Sequence, residues 1–239
     1  MRKIALSIAF SVASVFAMAD AQGKPARVAW APSDTGSCAD CLLTGHDLSG
    51  WNISNGDYSG ADLSAANLYK LKAEDAQLSD IIALGANFRK ATLDGSDFTD
   101  ADLTGATLDK ASLIAADLTD ATLSTARLHG TMFIGATCTD ANLIAVQAEG
   151  ADFSGANLMG ADLSSANLEN AAFDNAILAD MTFANANLSG AKIRDTRLVG
   201  VNFSGVSGLD SVDFQGTCLI EPINLPQTIT LPSCFESDG

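Results

Sequence analysis

A coiled solenoid wound around a narrow core is the fold class this sequence predicts, and two observations carry it. The first is a period of five. Leu, Phe or a stand-in falls at every fifth residue from Leu43 to Phe203 without a break in frame, which makes 33 consecutive pentapeptides. That period matches neither the α-helix, at about 3.6, nor the strand, at about 2, so the chain must turn a corner every few residues. The second is the residue two before each of these centres, which is Ala in 21 of the 33 units. Only small side chains fit where two flat segments meet. Aromatic content of 6% and an apolar share of 47% built largely from Ala and Leu agree with a thin, fully packed interior.

The elements follow in chain order. Met1-Arg2-Lys3 is a basic n-region, Ile4–Ala17 an uncharged apolar run, and Ala17-Met18-Ala19 an A-x-A cleavage site. This is the pattern of a secretory signal peptide. We assign residues 1–19 to it, or 1–21 if Ala19-Asp20-Ala21 is the site used. The run is short of the roughly 20 apolar residues a membrane span needs, and no later segment qualifies. Residues 20–37 form an N-terminal lead whose one bulky anchor is Trp30. The repeat proper occupies 38–219. Its units read A-(D/N/T)-(L/F)-x-x, as in Gly60-Ala61-Asp62-Leu63-Ser64 and Ala101-Asp102-Leu103-Thr104-Gly105. Exceptions at the centre are Ala73, Ala83, Ala148, Tyr58 and Cys138. Near the end, Val206–Ser211 carries one extra residue before centres resume at Phe214 and Leu219, which predicts a bulge or loop. Residues 220–239, with Pro222, Pro226 and Pro232, make a C-terminal cap or tail.

On these residues, about 41–219, the chain resembles the pentapeptide-repeat proteins. The resemblance implies an all-β fold, a right-handed quadrilateral β-helix solenoid of about eight coils with four pentapeptides per coil. The centre and the small residue two before it would point inward and the other three outward. The sequence offers its own check, because residues 20 apart should then stack. Phe133, Phe153 and Phe173 are centres at that spacing, and so are Phe183 and Phe203. At ~4.8 Å between strands the rod would be about 40 Å long, and it would need caps, since each coil touches only its neighbours.

All five cysteines follow the signal segment. Export permits disulfides, and we expect Cys38–Cys41 to seal the first coil and Cys218–Cys234 to pin the tail. A redox C-x-x-C would need a βαβ setting, and zinc would need a fourth ligand beyond Cys38, Cys41 and His46. Cys138 stands at a centre, between Leu118 and Leu158, and should be a buried free thiol. We assign no catalytic, cofactor-binding or metal residues. The chain has two His, no G-x-S-x-G and no Gly-rich phosphate loop leading into a helix. The frequent Gly two after a centre serves turns that need positive φ.

Without residues 1–19 the chain carries 11 basic against 29 acidic residues, a balance that disfavours nucleic acid and anionic membranes. The charge falls in columns. Asp80, Asp100, Asp120, Asp140 and Asp180 all stand two after a centre, on one corner, with Asp57, Asp97 and Asp117 on the same wall. Lys70, Lys90 and Lys110 form a basic column at the diagonally opposite corner, with Arg89 beside it. Asp suits turns through its bonds to backbone N–H groups, so the acidic column can be corner chemistry. It can also be an edge for a basic partner or for a divalent cation such as calcium. Ile114, Met132 and Ile134 are outward apolar residues on one wall. The expected function is a non-enzymatic, periplasmic or secreted protein-interaction or structural module with no cofactor. The alternative implied by the resemblance is a DNA-mimicking inhibitor or protector of DNA gyrase. Export, the basic column and the absence of an inserted loop count against it.

Overall fold

The computed structural model describes residues 36–221 and 224–234, so the signal segment and most of the lead lie outside the described residues. Within them the chain is a β-helix solenoid. Parallel β-bridges link each pentapeptide to the one 20 residues on, from Leu42↔Asp62 and Asp62↔Ile82 through Asp162↔Thr182 and Thr182↔Asn202. Near the C-terminal end the bridges lengthen into a parallel sheet of β1 (Ile177–Ala179), β2 (Arg197–Val199) and β3 (Cys218–Ile220).

The five-residue unit is explained by its hydrogen bonds. In the unit around Leu63, Leu63 N–H donates to Ile82 O at 2.6 Å and Ala65 N–H to Leu84 O at 2.8 Å on the following coil. Asp62 N–H donates back to Cys41 O at 2.8 Å, and Ala66 N–H closes the turn on Leu63 O at 2.9 Å. One amide, that of Ser64, remains, and the Asp62 carboxylate accepts it at 2.9 Å. Every N–H of the unit is thus paired, as burial requires. This is why Asp or Asn recurs one before the centre: its side chain takes the single amide the coils cannot reach. Asn52, Asp102, Asp152, Asp162 and Asn202 do the same for the residue two further on.

The turn fixes a second position. From Gly45 to Gly205 every residue two after a centre has positive φ, between 52° at Asp195 and 71° at Gly160. That is the requirement of a type II turn. Glycine meets it without strain, and Asn and Asp are tolerated. Lys70, Lys90, Lys110 and Thr125 adopt it too, at about 1 kcal/mol each.

All 33 centres from Leu43 to Phe203 are buried. So are the residues two before them wherever they are Ala. The buried hydroxyls among these positions find carbonyls: Ser96 Oγ donates to Ala73 O at 2.7 Å and Thr131 Oγ1 to Leu108 O at 2.8 Å. Phe133, Phe153 and Phe173 stack, with centroids 4.8 and 5.1 Å apart and rings within 6° of parallel. The extra residue sits where the sequence places it. Pairing steps from 20 to 21 residues between Asn187↔Ser207 and Lys192↔Asp213, and a single 3-10 turn, Leu209–Ser211, absorbs it.

Candidate functional site

With the interior filled, chemistry is left to the outward columns. Asp80, Asp100, Asp120, Asp140 and Asp180 are all exposed, all at left-handed turn positions, and stacked coil on coil. None of the five forms an ion pair or a side-chain hydrogen bond to a backbone amide among the described residues. The amide-binding role falls instead to Asp57, Asp97 and Asp117, whose carboxylates accept the N–H of Ser59, Thr99 and Thr119 at 3.1, 2.9 and 3.0 Å. The hydroxyl and amide of Ser59 hold the Asp57 carboxyl below its ordinary range. One acidic set is therefore committed to backbone amides and the other is not.

The column is interrupted at Gly160, and the space this leaves is filled from the coil before. A carboxylate oxygen of Asp140 occupies the place where a Cβ on Gly160 would stand, and Asp180 sits over Gly200 and Asp75 over Gly95 in the same way. An Asx-then-Gly pair 20 residues apart is a signal the sequence reading missed.

Lys70, Lys90 and Lys110 are exposed and two turns away from the Asp column in each coil. The Nζ atoms of Lys70 and Lys90 lie 5.3 and 5.9 Å from the centre of the Tyr69 ring. Beside them, Asp109 is 8% exposed. Its carboxylate accepts Arg127 Nη2 at 2.9 Å and the His129 amide at 3.3 Å, with Arg89 Nε at 3.9 Å. This cluster is assembled from three successive coils. At the C-terminal end a second one joins Arg194 to Asp174 through two hydrogen bonds. Those bonds hold the Asp174 carboxyl below its usual range.

Both histidines are engaged. His46 is buried with Nδ1 3.0 Å from Thr44 O, and His129 Nδ1 contacts Glu149 Oε2. Among the described residues no group of three His, Cys, Asp or Glu is placed to hold a metal, and no helix is long and apolar enough to cross a membrane. Met132 and Ile134 are each 37% exposed, whereas Ile114 is half-buried.

The structure bonds Cys38 to Cys41 and Cys218 to Cys234, with Cα atoms 5.4 and 5.0 Å apart. Cys138 is free and buried. Burial, and then the nearby Asp117 charge, push its thiol from 9.0 up to about 12. In the unfolded chain the thiol ionises near 9, but in the folded chain it stays protonated until about 12. Stability is therefore intact below the lower value and falls as pH rises between the two, by about 1.4 kcal/mol per pH unit. Urea unfolding of wild type and Cys138→Ala across this window checks it. The variant's stability should fall less steeply by one proton's worth, and equal slopes would contradict the assignment.

Buried centres, a committed amide-capping position and free columns two after the centre define a repeat solenoid that presents charge in rows. A sequence model described as pentapeptide repeats, 8 copies, matches residues 74–109, 84–120, 111–146, 136–171 and 166–205. These matches take in more than half of the chain, and the chain belongs to the pentapeptide-repeat family. Among solved structures it is similar to HetL, a pentapeptide repeat protein involved in heterocyst differentiation regulation in the cyanobacterium Nostoc sp. The two are 28% identical over 78% of this chain and 86% of that one, with a TM-score of 0.39. It is similar to full-length QnrB1, a plasmid-mediated fluoroquinolone resistance protein, at 19% identity over 78% and 94%, TM-score 0.26. A pentapeptide repeat protein of the Arabidopsis thaliana thylakoid lumen is 31% identical over 46% and 69%, TM-score 0.21. No curated protein matches the chain.

Proposed function

We propose that this chain is an exported, non-enzymatic module that works through its outer surface as a protein-interaction or structural element. Its shape in this reading is a right-handed, square-sectioned rod of about eight coils spanning 38–219, with the tail from 220 as its cap. Pairing at 20 residues, with four turns in each coil, supports that geometry. The observation that carries the functional reading is the division of the aspartates. Asp57, Asp97 and Asp117 serve the backbone, while among the described residues the side chains from Asp80 to Asp180 form no ion pair and no hydrogen bond to a backbone amide, and meet the fold only where Asp140 and Asp180 lie over Gly160 and Gly200. The committed state of both histidines supports a non-enzymatic role. The two disulfides, one at each end of the rod, support an oxidising compartment, periplasmic or extracellular.

Cell fractionation with intact mass of the purified product tests this reading. The expected species is periplasmic or secreted, starts near Asp20 or Gln22, and is four hydrogens lighter than its reduced form, two for each bridge. A cytoplasmic species that begins at Met1 with free thiols overturns it.

A further inference from the structure

The two charged columns have the same axial repeat and opposite sign. Each advances one residue per coil, at the ~4.8 Å spacing of paired strands. Asp80, Asp100, Asp120 and Asp140 run through four successive coils and Lys70, Lys90 and Lys110 through three. Among the described residues no member of either column forms an ion pair. The acidic column is flanked on the preceding segment by Ser79, Thr99, Thr119 and Thr139, and by no cation there. The basic column is flanked by Arg89 and Lys72, and the acid on its preceding segment, Asp109, is already taken by Arg127 and Arg89. On the following segment, which also carries Glu74, Asp94 is taken by Ser112 and the Ile114 amide and Asp75 lies over Gly95. The columns stand two turns apart in each coil, so they face away from one another and cannot neutralise each other within one molecule.

We propose that they are the two halves of one interface, the acidic column of one molecule docking along the basic column of a second copy. This rests on the surface-module reading above and names its partner. Because both columns are built on the same coil, their charges meet in step at every rung. No unrelated partner is obliged to share that spacing. Four rungs of Asp against three of Lys allow two fully matched registers, one coil apart. The interface joins two different patches, so it is heterologous. It leaves a free acidic column at one side and a free basic column at the other, and it propagates as an open side-by-side array. Asn is tolerated at the left-handed turn positions both columns occupy, which gives clean variants.

Salt separates this association from an apolar one. The chain as a whole is strongly acidic and repels itself, and that repulsion acts over about 30 Å at 0.01 M salt but only about 10 Å at 0.1 M. Contacting pairs survive the second condition and are screened at about 1 M, where the range is about 3 Å. Sedimentation of the purified protein should therefore give a weight-average mass at least about twice the monomer's near 0.1 M salt, returning to monomer near 1 M. Lys70→Asn/Lys90→Asn/Lys110→Asn and Asp80→Asn/Asp100→Asn/Asp120→Asn/Asp140→Asn should each be monomeric alone. Mixed one to one, they should pair and stop at the dimer, since each supplies the half the other lacks. A wild type that stays monomeric at every salt concentration overturns the inference, while an exported, disulfide-bonded product would leave the module reading standing. So does association that persists in either variant or strengthens with salt, and so does a mixture that fails to pair.

Discussion

Replacing Phe153 with alanine should lower the unfolding free energy by about 3–5 kcal/mol, the upper range for an aromatic core truncation. The ring is fully buried between two others, Phe133 at 4.8 Å and Phe173 at 5.1 Å, nearly parallel to both. The cavity would be bounded above and below by rings that cannot slide in. Phe133 N–H is held to Asp152 O and Phe153 N–H to Ala172 O, each at 2.7 Å, so the coils on either side keep their spacing. Beside the gap in the same coil, Ala148 is too small to fill it from one side, which leaves Leu158 on the other as the one bulky neighbouring centre. Small and large centres are traded within a coil. Ala148 accompanies Phe153, and Ala83 accompanies Phe88 and Phe98, whose rings meet edge to face at 6.4 Å. This is how a stack of equal backbone coils keeps a dense interior with unequal side chains. Urea unfolding gives the magnitude. Hydrogen exchange gives the location, since contacts run only to adjacent coils: amides near residues 133–173 should lose more protection than those near Leu63. A loss under about 1 kcal/mol would mean that the coils collapse onto the gap.

Much of this was legible in the sequence because a solenoid makes structure one-dimensional. The frame from Leu43 to Phe203 located every buried centre. The Phe133–Phe153–Phe173 spacing anticipated the stack, and the slip at Val206–Ser211 located the 3-10 turn. Three things were not legible, each for a physical reason. The role of Asp or Asn one before the centre depends on an amide count, and the count can be made only once the bonds between coils are known. Asp140 over Gly160 is a contact between residues 20 apart that no local pattern records. The cluster of Arg89, Arg127 and His129 around Asp109 draws on three coils, and charge patterning along the chain sees its members only as isolated ions. In the candidate site, the columns could be read from numbering alone. Which of them cap backbone amides could not, and that distinction separates Asp57, Asp97 and Asp117 from the column of Asp80 to Asp180.

The other large effect expected is at the C-terminal end. Cys218→Ser/Cys234→Ser should destabilise the protein by about 3 kcal/mol, the chain-entropy value for a bridge of this separation. Cys38→Ser/Cys41→Ser, with a separation of 3, should cost about 2 kcal/mol. The ordering has a structural reason beyond loop length. Cys218 begins β3, the outermost strand of the terminal sheet, and an uncovered edge of this kind invites pairing with another chain. The tail returns to cover it. Leu219 N–H donates to Pro232 O at 2.9 Å and Cys234 N–H to Leu219 O at 3.3 Å. Leu225, Ile229 and Leu231 pack against the core. Few hydrogen bonds hold this return, so the bridge keeps the tail in place against the entropy of a Pro-rich strand that would otherwise come free. Thermal melts of the two double variants test the order. Limited proteolysis tests the cause: in Cys218→Ser/Cys234→Ser the tail after Ile220 should be cut first, before the coils open. Equal melting losses would assign the stabilisation to bridging alone, and a tail that resists protease without its disulfide would show that packing of Leu225, Ile229 and Leu231 suffices to cap the rod.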